Sequence, residues 1–86
     1  MEIELSDEAK ADLLFWKQAG DHKMMNRITS LILSIQQTPH TGIGKPEPLR
    51  YKLKGLWSRR INREHRLIYE VLDKQVVIHS MKGHYE

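Results

Sequence analysis

Three side chains that could together cleave a phosphodiester bond lie in separate parts of this 86-residue chain. Glu47 lies in a proline-rich segment, Arg66 follows a Glu-His pair, and His84 lies near the C-terminus. Cutting RNA through its own 2′-hydroxyl needs a base for that proton, an acid for the leaving 5′-oxygen and positive charge beside the phosphorane. Glu47, His84 and Arg66 have the chemistry for these three roles. These residues therefore suit metal-free RNA cleavage.

Positive charge is concentrated in the middle of the chain. The net charge is only +3, but residues 45–66 hold 8 basic residues against two glutamates, a local charge of +6. Residues 1–38 contain 4 basic and 6 acidic residues, and residues 67–86 contain 2 and 3. A focused cationic tract favours a polyanionic partner, although a solvated face of a small sheet would show the same charge pattern.

The composition indicates one small domain that spans residues 1–86. The chain has no cysteine, so it forms no disulfide or thiolate metal site, and the cytoplasm is the expected location. No apolar run approaches the ~18 residues of a membrane helix, so no membrane partner is expected. The histidines lack metal-site spacings, and neither a Walker loop nor a serine nucleophile motif occurs, so we expect no metal and no cofactor.

The first half of the chain predicts one strand and two helices. Residues 1–5 alternate apolar and acidic side chains, which indicates a strand with one buried face. Ser6 can cap a first helix that ends at Gly20. Apolar residues at three- and four-residue steps predict a second helix, which begins at residue 21 or 22 and ends at Thr38 before a proline.

The second half predicts a loop followed by strands. Residues 39–48 contain five prolines and glycines, so we expect a loop in which flanking prolines hold Glu47 extended. Alternating or β-branched residues then predict four strands, the last two joined by a hairpin turn at residues 73–74. These strands are at residues 49–53, 56–61, 66–72 and 75–81.

These elements predict an α+β fold in which two N-terminal helices pack on a mostly antiparallel sheet. The sheet face without helices would be left for function. Alternation places Arg60 on the side of Ser58 and opposite Trp57. Trp16 and Trp57 are predicted to anchor the core rather than stack on bases, and His65 is predicted to be structural rather than catalytic.

Several short segments carry a family pattern in a fixed order. They are Thr38-Pro39, Gly42-Ile43-Gly44-Lys45-Pro46-Glu47-Pro48-Leu49, Trp57-Ser58-Arg59-Arg60-Ile61, Glu64-His65-Arg66-Leu67 and His84-Tyr85. Together they resemble the YoeB/Txe toxins of the RelE-like superfamily, which belong to type II toxin–antitoxin systems. The resemblance implies a RelE-like fold and a ribosome-dependent endoribonuclease. Such an enzyme cuts mRNA in the ribosomal A site and leaves a 2′,3′-cyclic phosphate and a 5′-hydroxyl.

The resemblance also implies a role for individual residues. Glu47 would be the general base, His84 the general acid and Arg66 the clamp on the phosphorane. Arg50 and Arg60 would contact the phosphate backbone, and Tyr85 would hold the base or sugar of the substrate. Family members commonly have lysine where Arg50 stands, and a planar guanidinium binds phosphate differently from a compact ammonium group.

The basic tract and the resemblance together predict the partners. Lys52 and Lys54 are expected to contact RNA and to help the protein dock on ribosomal RNA by releasing counterions. The resemblance implies a cognate, YefM-like antitoxin with an acidic segment, and a homodimer. Two alternatives stay open: a non-catalytic module that binds nucleic acid or antitoxin on the same scaffold, and an enzyme that acts on free tRNA or small nucleotides.

Overall fold

The computed structural model describes residues 1–83, so His84, Tyr85 and Glu86 lie outside the described residues. Eight elements follow one another along these 83 residues. They are β1 (Glu2–Leu5), α1 (Asp7–Gln18), α2 (His22–Gln37), β2 (Glu47–Pro48), a 3₁₀ turn (Tyr51–Leu53), β3 (Leu56–Arg60), β4 (Arg66–Val71) and β5 (Gln75–Ser80).

The five strands form one sheet in the order β1-β5-β4-β3-β2. Strands β2, β3, β4 and β5 pair antiparallel in sequence, whereas β1 pairs parallel to β5. A parallel neighbour needs a long connection, and here that connection contains both helices and most of the chain. The predicted α+β architecture, with two helices before a mostly antiparallel sheet, is confirmed.

Both helices begin at side-chain caps. The Ser6 hydroxyl accepts a hydrogen bond from the Ala9 amide at 3.1 Å, and the Asp21 carboxylate accepts one from the Met24 amide at 3.0 Å. Each cap satisfies an amide that has no partner within its own helix, as the sequence predicted for Ser6. The buried face of α2 follows the predicted periodicity and consists of Met24, Ile28, Leu31 and Ile35.

The core lies between the two helices and one face of the sheet. Alternate residues of β4 and β5 point into it, and they pack against the buried helix residues. The sheet residues in this core are Leu67, Tyr69, Val76 and Ile78, all of them fully buried. Trp16 is also part of the core, and Trp57 packs against it while partly exposed, so both were correctly predicted as core residues.

The strand predicted at residues 49–53 is wrong. This segment contains the 3₁₀ turn instead, and the short strand β2 lies earlier, within the predicted loop. Leu53 lines a cavity together with Leu56 and Ile68, on the sheet face that the helices leave open. The apolar alternation of the segment therefore belongs to a turn whose leucine lines a cavity at that face, and not to a paired strand.

Neither helix in the described part of the chain has the length and hydropathy needed to cross a lipid bilayer.

Candidate functional site

The structure brings Glu47 and Arg66 together on the sheet face opposite the helices. Glu47 lies in β2 and pairs with Ser58 of β3, while Arg66 opens β4 and pairs with Arg60 of β3. Side chains of directly paired residues lie on the same face of a sheet. The Arg66 Nη1 and Glu47 Oε1 atoms are 3.5 Å apart, although 19 residues separate the two positions in the chain.

Both members of this pair are accessible from solvent. The Glu47 side chain is 59% exposed and that of Arg66 is 22% exposed. An exposed ion pair at this separation contributes at most about 1 kcal/mol to stability, because water screens it. Arg66 contacts Glu47 through Nη1 alone, and a guanidinium has five N–H donors. The arrangement is therefore a weak stabilising contact, but it is well suited to bind an anion beside a carboxylate.

A second cation stands beside the pair. Arg60 is exposed and is paired directly across the ladder with Arg66, at the end of β3. Like charges placed opposite each other in a sheet repel and destabilise the fold. Two guanidinium groups next to one carboxylate leave an excess of positive charge on an open face, which favours a phosphate ligand.

The other predicted RNA-contacting residues flank this face. Arg50, Lys52 and Lys54 are exposed and lie in or beside the 3₁₀ turn, directly after the strand that carries Glu47. Between them, Tyr51 is 91% exposed and has a positive φ of 58°. The turn thus carries three cations and one exposed aromatic ring to the edge of the sheet. The predicted acid His84 and the predicted substrate contact Tyr85 lie outside the described residues.

Arg59 belongs to the cationic tract of the sequence but not to the surface. Its side chain is fully buried, on the helix side of the sheet, and its guanidinium donates five hydrogen bonds of 2.6–3.1 Å. The acceptors are the hydroxyls of Ser34 and Tyr69 and the carbonyls of Thr38, Thr41 and Ile43. None of the acceptors is a carboxylate, so oriented carbonyl dipoles replace the lost hydration of this charge.

These bonds attach the loop before β2 to the sheet. The loop also approaches both α2 and the sheet closely at Gly44, whose φ is +84° and where an added Cβ would lie 2.6 Å from a methyl of Leu31 and 3.1 Å from the Cβ of Arg59. The Gly44 carbonyl accepts a hydrogen bond of 2.7 Å from the amide of Arg60. The position of Glu47 therefore depends on the loop contacts of both arginines in the Ser-Arg-Arg segment.

Tyr69 links the same loop to the sheet. Its hydroxyl donates to the Pro39 carbonyl at 2.6 Å and accepts from Arg59 Nε at 3.1 Å. Burial raises the pKa of Tyr69, and the hydrogen bond and charge of Arg59 only partly oppose this shift. The phenol therefore keeps its proton and remains a donor to the loop.

Sequence reasoning missed the role of Arg59, because it counted this residue only among the positive charges of the basic tract. A signal was present, since alternation places Arg59 on the same side as the core residues Trp57 and Ile61.

The structure also shows that α1 holds the chain after β5. Trp16 Nε1 donates to the Met81 carbonyl at 2.9 Å, and the Met81 amide donates to Asp12 at 2.9 Å.

Among residues 1–83, no three His, Asp or Glu side chains come together in a way that could hold a metal ion.

A protein-family model matches almost the whole chain. It describes a YoeB-like toxin of bacterial type II toxin–antitoxin systems and aligns with residues 5–85. The chain belongs to this family. The family and the RelE-like fold predicted from the sequence are thereby confirmed.

Individual relatives of this YoeB-like toxin match the chain over nearly their full length. Toxin YoeB of Synechocystis sp. is 46% identical over 86 residues, which cover 100% of this chain and 99% of that protein. The solved YoeB/ParE toxin from Agrobacterium tumefaciens has a TM-score of 0.93 and 37% identity, and covers 99% of this chain and 100% of its own.

Two solved structures come from Staphylococcus aureus. One is a YoeB dimer, with a TM-score of 0.89 and 44% identity, and the match covers 99% of this chain and 98% of that chain. The other is a heterotetrameric YoeB-YefM toxin–antitoxin complex, with a TM-score of 0.88, 44% identity and the same coverage. In that relative, the toxin fold is therefore known both as a dimer and in complex with its antitoxin.

Proposed function

We propose that this YoeB-like toxin is a ribosome-dependent endoribonuclease that cleaves mRNA in the A site by metal-independent acid–base catalysis. The proposal includes a single domain over residues 1–86 that acts in the cytoplasm. The observation that supports it best is the contact between Glu47 and Arg66, with Arg60 beside it, on a sheet face that the helices leave open. A base next to two phosphate-binding cations suits attack by the 2′-hydroxyl of RNA.

The proposed reaction transfers two protons and exchanges one bond to phosphorus. Glu47 accepts the proton of the 2′-hydroxyl, and the 2′-oxygen forms a bond to the phosphorus. Arg66, supported by Arg60, stabilises the negative charge of the phosphorane. His84 donates a proton to the 5′-oxygen as the bond between phosphorus and that oxygen breaks. The products are a 2′,3′-cyclic phosphate and a 5′-hydroxyl.

The exposure of the Glu47–Arg66 pair explains why cleavage would need the ribosome. A carboxylate that is 59% exposed is surrounded by water and gains little from a low-dielectric environment. General acid–base action supplies about 10²–10⁴-fold per group, which is modest. Free RNA seldom holds its 2′-oxygen in line with the leaving oxygen, and fixing that geometry supplies a further large factor. We propose that the ribosome holds the codon in this geometry.

Docking on the ribosome and inhibition by the antitoxin would both use the cations around the Glu47–Arg66 pair. Arg50, Lys52 and Lys54 are exposed in and beside the turn next to β2, where they would contact ribosomal RNA and the mRNA backbone. Tyr85 would contact the base or sugar. By analogy with the Staphylococcus aureus structures, we propose a homodimer and a YefM-like antitoxin whose acidic segment covers this face.

The test is cleavage of A-site mRNA on purified ribosomes by Glu47→Gln, Arg66→Ala and His84→Ala variants. We expect each to lose about 10²–10⁴-fold in rate while remaining folded. Glu64→Gln and His22→Ala are matched controls, because both side chains are exposed and lie outside the proposed site. These controls should cleave at the parent rate.

The alternatives predict different results. Equal activity of all three site variants and the parent would refute the assigned chemistry. Ribosome binding and growth arrest that persist without detectable cleavage would favour the non-catalytic module. Cleavage of free tRNA or of small nucleotides at the same rate with and without ribosomes would favour the third alternative.

A further inference from the structure

The chain that leads into the C-terminal His84-Tyr85 pair is held on both sides of Gly83. The Gly83 amide donates a hydrogen bond of 2.8 Å to Nδ1 of His65. The Gly83 carbonyl accepts a hydrogen bond of 2.7 Å from the backbone amide of Arg66. Two consecutive residues, His65 at the end of the β3–β4 connection and Arg66 at the start of β4, therefore fix the last described residue, one position before His84.

The first of these bonds defines the state of the His65 ring. A ring nitrogen that accepts from an amide carries no proton, so this bond requires the tautomer of His65 that has its proton on Nε2. The ring also packs edge-on against Trp16, with centroids 4.9 Å apart and an interplanar angle of 76°. Since Trp16 binds the Met81 carbonyl, His65 belongs to a set of contacts that all hold the chain after β5.

The second bond connects this chain to the proposed site. Arg66 binds Gly83 with its backbone amide and contacts Glu47 with its guanidinium. The distance between Gly83 and the clamp residue Arg66 is thus set by the main chain at Arg66 and by the His65 ring beside it. His84 is covalently attached to the carbonyl that Arg66 holds.

We propose that His65 is a positioning residue for the general acid His84, acting through its Nδ1 hydrogen bond to the Gly83 amide. This inference rests on the proposed function. His65 is only half-buried and lies outside the main core. Loss of the Nδ1 acceptor would leave the Gly83 amide without its partner and let the chain move at Gly83. The sheet and the helices would keep their own contacts. A catalytic group displaced by about 1 Å can lose about 10²-fold in rate.

Two substitutions separate the acceptor from the ring. His65→Phe keeps an aromatic ring beside Trp16 and removes the acceptor, whereas His65→Asn removes the ring and supplies an acceptor oxygen at the δ position. For ribosome-bound mRNA we expect His65→Phe to lower kcat by about 10–100-fold with little change in KM. His65→Asn should recover most of that loss. A packing role alone would predict the opposite order.

A double-mutant cycle with His84→Ala tests whether His65 acts through the acid. In the His84→Ala background, His65→Phe should cause no further loss of rate. An equal loss in both backgrounds would overturn the inference and leave the proposed acid intact. If His84→Ala alone cleaves like the parent, the proposed acid itself fails, and the role of His65 fails with it.

Amide hydrogen exchange at Gly83 gives a readout that does not depend on activity. In the free toxin, the Gly83 amide hydrogen should exchange faster in His65→Phe than in the parent. In His65→Asn its protection should be restored. A variant that fails to fold would lose protection at the core residue Tyr69 as well, which identifies that case. Unchanged protection of Gly83 in folded His65→Phe would overturn the proposed anchor.

Discussion

Arg59 offers the sharpest test of how the fold positions Glu47. Arg59→Lys keeps the buried charge but replaces a planar fork with a compact ammonium group. The guanidinium spans acceptors in the 38–43 loop, in α2 and in β4, whereas one ammonium nitrogen can reach about two of them. The substitution therefore removes about three hydrogen bonds and leaves carbonyls of the loop without donors.

The size of the effect follows from these contacts. Each lost bond costs about 1–1.5 kcal/mol, so Arg59→Lys should lower the free energy of unfolding by about 3–5 kcal/mol. A domain of this length has a total of about 4–13 kcal/mol, so a parent near the middle of this range, at about 8 kcal/mol, gives a variant that is still mostly folded at 25 °C. At 4–8 °C per kcal/mol, the melting temperature should fall by roughly 12–40 °C.

Thermal unfolding followed by circular dichroism measures this change, with Arg63→Lys as the control. Arg63 is exposed in the β3–β4 connection, so its replacement should change stability by less than about 0.5 kcal/mol. Below its melting temperature, Arg59→Lys should also cleave mRNA more slowly, because the loop that leads into β2 and positions Glu47 is loosened. Melting of Arg59→Lys within a few degrees of the parent would refute this account of the loop.

Two further predictions concern pH and salt. Burial raises the pKa of Tyr69 above its ordinary value of about 10, so the unfolded chain loses the phenol proton first. The stabilisation is complete below that value and declines as the pH rises through the higher pKa of the folded state. Urea titrations from pH 8 to 11 should show this decline in the parent and a smaller one in Tyr69→Phe; equal slopes would contradict it. Replacing Lys52 and Lys54 by alanine should weaken ribosome binding most at low salt and reduce the salt slope by about one per charge removed. An equal loss at all salt concentrations would argue against electrostatic docking.

The sequence predicted the helices well because their signals are local. The Ser6 cap, the acidic first turn of α1 and the three- and four-residue steps of α2 act within a few residues of each helix. The hairpin between β4 and β5 is equally local. Its turn closes with a hydrogen bond of 2.8 Å from the Leu72 amide to the Gln75 carbonyl, next to the predicted turn residues.

Contacts distant in sequence were harder to predict. Residues 49–53 alternate like a strand, but Leu53 lines a cavity together with Ile68, which belongs to a strand further along the chain. The parallel pairing of β1 with β5 likewise joins the two ends of the chain. Periodicity shows that a residue has an apolar neighbour, but it does not show whether that neighbour is a paired strand or a different surface.

In the candidate site, too, some features could be predicted from the sequence and others could not. Glu47, Arg60 and Arg66 could be selected from residue type and family pattern, and the sheet register then brings them onto one face. The partners of Arg59 and His65 could not be identified this way, because most of them are backbone groups. The carbonyls of the 38–43 loop are present whatever the sequence is there, and an amide like that of Gly83 is present in every residue type except proline. Residue identity therefore indicates which groups perform the proposed chemistry, while the groups that hold them in place become visible only in the folded main chain.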